Sequence, residues 1–133
     1  MENPILNFLL SQKHVVRFED KDKWQWLVKI RGEEFWLSPH SIERCSQRFP
    51  KFEMYPHIDP ETSEGIVSVM YDIILKGHKV VANTLVSRDT WAFKHEDVPF
   101  FLLVGNNRRG KKGKAIITCY TGKMVRHYYP LNW

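Results

Sequence analysis

Apolar and aromatic residues gather into short runs between polar turns over the first part of the chain. The segments HVVRFED (14–20) and KWQWLVKI (23–30) flank the polar turn DKDK, and FWL follows a second turn, RGEE. Runs of this length, rich in β-branched and aromatic residues, are typical of β-strands. Before them, Asn3-Pro4 has the residue types of a helix N-cap and first helical position, which predicts a short helix to about Ser11.

The spacing of apolar residues becomes helical at the stretch LSPHSIERCSQR. Ser38-Pro39 repeats the cap-and-proline signal, and Ile42, Cys45 and Phe49 follow at intervals of three and four residues. This spacing places them on one side of a helix. We predict that this stripe packs against a sheet.

A third helix is predicted between Asp59-Pro60, which gives the same start signal, and Gly77, which is a common helix stop. The apolar positions that form its core face are Ile66, Val69, Met70, Ile73 and Ile74.

Strand-like runs return after Gly77: HKVVANTLVS, TWAFKH, PFFLLVG and KAIITCYT, with the glycine-rich loop NNRRGKKG joining the last two. The final segment, GKMVRHYYPLNW, is compatible with a short further strand. The order of elements predicts an α+β fold, in which an antiparallel β-sheet is packed on one face by two or three helices. The other face is expected to be partly open.

The length and composition indicate one globular domain. The chain has 133 residues, of which 43% are hydrophobic and 26% charged, enough to bury a sizeable core. We describe it as a single domain over 1–133, with a helix and hairpin extension over 1–36 and a core over 37–133. No apolar run approaches the roughly 18 residues of a spanning helix, and the amino terminus lacks the features of a signal peptide. These observations predict a cytoplasmic protein.

Positive charge is concentrated in the last quarter of the chain. The net charge is +5, but no acidic residue follows Asp97. The basic residues beyond that point are Arg108, Arg109, Lys111, Lys112, Lys114, Lys123 and Arg126. Regional basicity of this kind favours a polyanionic partner such as nucleic acid, although a basic tail can also serve only solubility.

Several kinds of chemistry are not supported by the sequence. The six histidines form no pair at metal-ligand spacing. Cys45 and Cys119 are far apart in sequence, and each is expected to be a buried reduced thiol. No phosphate-binding loop or nucleophile elbow is present. We therefore expect no metal and no cofactor.

The predicted helix after Ser38 carries His40, Arg44 and Arg48 at four-residue spacing, on the stripe next to the apolar one. Arginine offers a planar fork of donors that suits phosphate oxygens, and histidine titrates near neutrality. Metal-free RNA cleavage needs these groups to move protons and to stabilise the phosphorane. The alternatives are a structural hydrogen bond for His40 and a solvated face, with the arginines paired to Glu43 or other acids.

The stretch SPHSIERCSQR, followed by an apolar helix, several strands and a late AIITCY, resembles small RNase toxins of the barnase–colicin–RelE type. The resemblance covers roughly residues 37 to 121. It implies a helix-covered antiparallel sheet that cleaves RNA on its open face. In this resemblance His40 is the general base or acid, Arg44 and Arg48 are phosphate ligands, and Thr118 bonds the substrate from the last strand.

Further residues are candidates for the same site. His127 lies in a cluster with Arg126 and two tyrosines, and is a second candidate acid or base. The residues predicted to contact RNA are Arg88, Arg108, Arg109, Lys111, Lys112, Lys114, Arg126 and Tyr128. The loop cations would contact phosphates without reading sequence, unless the loop is simply solvated.

The sequence therefore predicts a metal-independent endoribonuclease that uses the 2′-hydroxyl of RNA and acts as a toxin or phage-type effector. Its expected partners are RNA, such as tRNA or ribosome-bound mRNA, and an acidic neutralising protein, with no membrane. The alternative is a non-catalytic module that binds nucleic acid or inhibits a protein through its basic carboxyl-terminal region.

Overall fold

In a computed structural model of the chain, the described residues are 11–12, 15–20, 23–48, 63–82, 90–95, 100–106, 113–121 and 128–130. These residues form eight strands and two helices that begin and end within them. The strands are β1 (Val15–Asp20), β2 (Lys23–Ile30), β3 (Glu33–Leu37), β4 (His78–Ala82), β5 (Trp91–Lys94), β6 (Phe100–Asn106), β7 (Lys114–Thr121) and β8 (Tyr128–Pro130). The helices are α1 (Pro39–Arg48) and α2 (Ser63–Lys76).

All eight described strands belong to one sheet, in the order β1-β2-β3-β7-β6-β5-β4-β8. Neighbouring strands are antiparallel except β3 and β7, which run parallel and pair Phe35 with Lys114 and Trp36 with Ala115. The predicted α+β fold with a mainly antiparallel sheet is confirmed. The short parallel junction joins two antiparallel units, β1–β3 and β4–β8, and was not predicted.

The turn between β2 and β3 lies where RGEE indicated it. Arg31 and Gly32 both have positive φ angles, of 50° and 77°. Positive φ at both central residues twists a two-residue hairpin in the direction of the strands. Glycine adopts a positive φ at no steric cost, so Gly32 fits a backbone conformation that is unfavourable for most other residues.

Helix α1 begins at the predicted cap. The backbone N–H of Ser41 donates to Ser38 Oγ at 3.1 Å, and the N–H of Ile42 donates to the Ser38 carbonyl at 3.0 Å. The Ser41 hydroxyl also donates to the Ser38 carbonyl, at 2.8 Å. The cap satisfies donors that have no partner inside the helix and so fixes where α1 leaves β3.

Helix α2 ends at Lys76, immediately before Gly77, as its sequence indicated. The Gly77 N–H donates to the Ile73 carbonyl at 2.7 Å. A Cβ atom at this position would collide with that carbonyl oxygen and lie 3.1 Å from the Lys94 carbonyl oxygen. Glycine is therefore required by the close approach of the α2 terminus to β5. The five apolar residues predicted for the α2 core face are all buried, namely Ile66, Val69, Met70, Ile73 and Ile74.

The main core lies between the helices and one face of the sheet. Helix α1 packs on β7 and β2, and α2 packs on β2 and β5. Phe35 makes an edge-to-face contact with Phe93, with ring centroids 5.0 Å apart. Trp26 and Leu37 are buried in the same core. The strands that we described as an extension over 1–36 thus supply core residues, and the boundary after residue 36 falls inside β3.

The opposite face of the sheet is buried at its centre. Val80, Ala92 and Phe101 form a second, smaller apolar cluster with Tyr120 packed against it. Leu103, which lies opposite Ala92 in the register, is also buried. We expected this face to be partly open, but its centre is closed to solvent.

Candidate phosphate-binding site on helix α1

Helix α1 has a buried side and an exposed side. Ser41, Ile42 and Cys45 are buried against the sheet, which confirms the predicted apolar stripe for the two apolar members that are described. His40 and Arg44 are exposed. Phe49, the third member of the stripe, lies outside the described residues.

His40 and Arg44 contact each other on the exposed side. Arg44 Nε donates to His40 Nε2 at 3.1 Å. Nε2 is the acceptor in this contact, so its lone pair is directed at the Arg44 guanidinium. The two terminal amino groups of the Arg44 guanidinium make no hydrogen bond or ion pair with a described residue, so they remain available to an anion.

The position of the His40–Arg44 pair near the helix N-terminus also favours the binding of an anion. His40 is the second residue of α1, and the first turn contains no acidic residue. The backbone N–H groups at a helix N-terminus carry partial positive charge. The pair therefore combines a donor fork, an imidazole and a favourable helix dipole at one exposed place.

Arg48 is held differently. Its Nη1 donates to the carbonyl oxygen of Cys119 at 2.7 Å, and its guanidinium carbon lies 5.7 Å from the centroid of the Tyr120 ring. The pairing of β3 with β7 ends at Ala115, so this part of β7 has no bond to β3. Arg48 supplies a donor to β7 beyond that point, and it ties the last turn of α1 to the strand.

Thr118 points to the other face of the sheet. It lies opposite Leu103, which lies opposite Ala92 of the second cluster, and directly opposed residues share a face. Cys119, the next residue, lies in the main core beneath α1. The Thr118 hydroxyl is buried and has no hydrogen-bond partner among the described residues. The sheet therefore separates Thr118 from the His40–Arg44 pair.

Of the predicted RNA contacts, Lys114 is described and is partly exposed at the start of β7. Tyr128 belongs to β8, where its backbone lies opposite Ala82. The predicted residues outside the described part of the chain are Arg88, Arg108, Arg109, Lys111, Lys112, Arg126 and His127.

The structure also brings together Cys45 of α1 and Cys119 of β7. Both are free thiols, fully buried in the main core, and their side chains are neighbours there. The sequence indicated that each is buried, because Cys45 lies on an apolar stripe and Cys119 within a strand. Their pairing depends on where α1 crosses β7, for which the sequence has no signal.

Comparison with protein-family models, with curated proteins and with solved structures found no match. Among the described residues, no group of three or more His, Cys, Asp or Glu side chains is placed to hold a metal ion. Within the same part of the chain, neither helix is long and apolar enough to cross a membrane.

Proposed function

We propose that this protein is a metal-independent endoribonuclease in which His40 handles the proton and Arg44 binds the scissile phosphate. The observation that carries the proposal is the contact between Arg44 Nε and His40 Nε2 on an exposed helix face. It places a proton acceptor next to a guanidinium whose terminal amino groups bond no described residue. The basic carboxyl-terminal region supports a polyanionic substrate.

The proposed reaction begins when a substrate phosphate takes the Arg44 fork. A guanidinium binds two phosphate oxygens at once. When Arg44 does so, it gives up its hydrogen bond to His40, and the lone pair on Nε2 becomes available. That nitrogen accepts the proton of the ribose 2′-hydroxyl, and the 2′-oxygen attacks the adjacent phosphorus. The bond to the 5′-oxygen breaks, the leaving oxygen takes a proton from water, and His40 later returns its own proton to solvent. The products are a 2′,3′-cyclic phosphate and a 5′-hydroxyl.

This site is smaller than the one that the sequence suggested. Arg48 acts here as a residue that positions α1 on β7, since its guanidinium is bound to the Cys119 carbonyl. Thr118 lies on the opposite face and does not meet the substrate held by Arg44. His127 keeps the role of second acid or base as a proposal that rests on the sequence alone.

In the cell, we propose that the protein acts on cytoplasmic RNA, such as tRNA or ribosome-bound mRNA, as a toxin or phage-type effector. An enzyme that destroys host RNA must be restrained in its producer. An acidic neutralising protein that covers the basic region would do this by charge complementarity.

The test is RNA cleavage by the purified chain in excess chelator. We expect RNA to be cut, DNA to remain intact, and a substrate with a 2′-O-methyl group at the cleavage site to be inert. His40→Ala should slow cleavage by roughly 10²- to 10⁴-fold, the usual contribution of a positioned acid or base. Gln47→Ala, a change on the exposed side of the same helix, is the matched control and should leave the rate unchanged. Equal rates for His40→Ala and the unmodified chain would refute the proposal.

A second candidate function is RNA binding without cleavage. It is favoured by the separation of Thr118 from His40 and Arg44, because the described part of α1 offers only one imidazole and one unanchored arginine. Under this alternative, RNA binds tightly and is not cut, with or without ribosomes. Arg44→Ala then weakens binding to unrelated RNAs alike and lowers the salt dependence of the affinity by about 0.7 in the log–log slope for one single-strand phosphate contact.

A further inference from the structure

Cys45 and Cys119 form a thiol pair that the proposed ribonuclease reaction does not use. Both residues are fully buried, and they meet where α1 packs on β7. Free cysteines are often buried singly as small apolar residues. Here two buried thiols are neighbours across a helix–strand interface, and neighbouring thiols are the starting point for a disulfide.

Arg48 fixes the two cysteines relative to each other. It follows Cys45 by three residues on α1 and donates to the backbone carbonyl of Cys119 itself at 2.7 Å. Residues three apart on a helix are neighbours on its surface. The helix is therefore anchored on β7 at the residue that carries the second thiol, which limits how far the sulfur atoms can separate.

The two thiols are not chemically equal. The hydrogen bond that Cys45 donates to Cys119 raises the pKa of Cys45, and burial raises it further. The same hydrogen bond lowers the pKa of Cys119 against the opposing effect of burial, and the nearby Arg48 guanidinium lowers it as well. Because the thiolate is the nucleophile in thiol oxidation, a lowered pKa favours Cys119 as the attacking sulfur.

We propose that Cys45 and Cys119 are an oxidative modification site, at which a peroxide converts the buried pair into a disulfide that links α1 to β7. The Cys119 thiol gives up its proton, and the thiolate attacks the peroxide. The O–O bond breaks, the sulfur becomes a sulfenic acid, and the departing hydroxide takes up that proton and leaves as water. The Cys45 sulfur then attacks the sulfenic sulfur, its proton leaves with the hydroxide as a second water, and the S–S bond forms. The two thiols give up two electrons, which reduce hydrogen peroxide to two waters.

Burial determines how the modification proceeds. Neither thiol is exposed, so the peroxide reaches Cys119 when α1 opens locally from β7. The reaction should therefore be slow in the native chain and faster in urea concentrations below the unfolding transition. Once formed, the bond closes a loop of about 75 residues, and a loop of that size strongly restricts the unfolded chain. The modified protein should be the more stable form.

The test uses the reduced, full-length chain treated with hydrogen peroxide. We expect the intact mass to fall by about 2 Da, the two hydrogens that are lost, and the thiols titrated after denaturation to fall from two to none. The melting temperature should rise by roughly 5–15 °C, and dithiothreitol should reverse all three changes. Mapping of the Cys45–Cys119 peptide by mass spectrometry identifies the bond without any variant.

Cys45→Ser and Cys119→Ser are the matched controls. Neither should lose mass on oxidation or gain thermal stability, and Cys45→Ser should instead gain one oxygen at Cys119. Disulfide-linked dimers, gain of oxygen by both thiols of the unmodified chain, or two thiols that remain reduced after prolonged treatment in urea would each overturn the proposal. The result is independent of RNA cleavage, so it stands or fails separately from the ribonuclease proposal.

Discussion

Arg44 and Arg48 lie one turn apart on the same helix, yet they have different surroundings. Arg44 is exposed, and its side chain hydrogen-bonds only His40 among the described residues. Arg48 is partly buried, bound to the Cys119 carbonyl and placed over the Tyr120 ring. Residue type and spacing are the same for both. The difference comes from what the rest of the fold places beside each one.

The course of β3 explains the difference. β3 pairs with β7 as far as Ala115 and then leads through Ser38 into α1, which packs on β7. The carbonyl of Cys119 lies further along β7, near the last turn of α1. Arg48 belongs to that turn and Arg44 to the one before it, so only Arg48 binds the strand. We therefore expect the two sides of α1 to respond differently to mutation.

The largest effect should come from the buried side. Ile42→Ala removes buried methyl groups from the α1–sheet interface, where Ile42 is only 5% exposed. It should lower the free energy of unfolding by about 2–4 kcal/mol, from lost transfer energy and a residual cavity. Glu43→Ala, on the exposed side, should stay within about 0.5 kcal/mol. Urea unfolding measures both, and similar values would mean that α1 is not docked through this stripe.

The second effect tests the two arginines directly. Arg48→Ala removes a charge-assisted hydrogen bond to the Cys119 carbonyl and a contact with the Tyr120 ring, and should cost about 1–3 kcal/mol of unfolding free energy. Arg44→Ala should cost no more than about 0.5 kcal/mol. The two unfolding curves provide the comparison. If the two arginines contributed equally to stability, the structural role assigned to Arg48 would be wrong.

A smaller effect is expected at the helix cap. Ser38→Ala deletes the oxygen that accepts the Ser41 N–H and should destabilise the protein by about 1 kcal/mol. Ser46 also has a hydroxyl on α1, but it donates to the Glu43 carbonyl within the helix. That bond adds little to stability, so Ser46→Ala should leave the unfolding midpoint almost unchanged. Loss of stability in Ser46→Ala alone would contradict the assignment of the cap.

The sequence predicted the helices and strands of this fold better than the contacts between them. Ser38, Gly32 and Gly77 mark local geometry through their own conformational preferences, and the structure confirms all three. The parallel pairing of Phe35 with Lys114 is a long-range contact, and no local pattern encodes it. The prediction of the candidate site depended on long-range contacts of this kind.

The same limit applies to the candidate site. The four-residue spacing predicted correctly that His40 and Arg44 are neighbours, since this is a property of any helix. It could not predict that Arg48 would be bound to Cys119, because that depends on the angle at which α1 crosses β7. The sequence also could not predict the face of the sheet on which Thr118 lies. The register of β7 changes at an irregularity beside Ile116 and Thr118, and such a shift alters which side chains share a face.

The smallest effect on stability is expected at the His40–Arg44 contact itself. Side chains four residues apart on an exposed helix stabilise each other by about 0.2–0.5 kcal/mol, so a double-mutant cycle of His40→Ala and Arg44→Ala should give a coupling of that size in urea unfolding. In contrast to the small change in stability, the rate of RNA cleavage should fall strongly, by roughly 10²-fold or more for His40→Ala. A large loss of activity with almost no loss of stability is the signature of residues that serve a substrate. A coupling well above 1 kcal/mol with unchanged cleavage would instead make the pair a structural contact, and the two sides of α1 would then differ only in exposure.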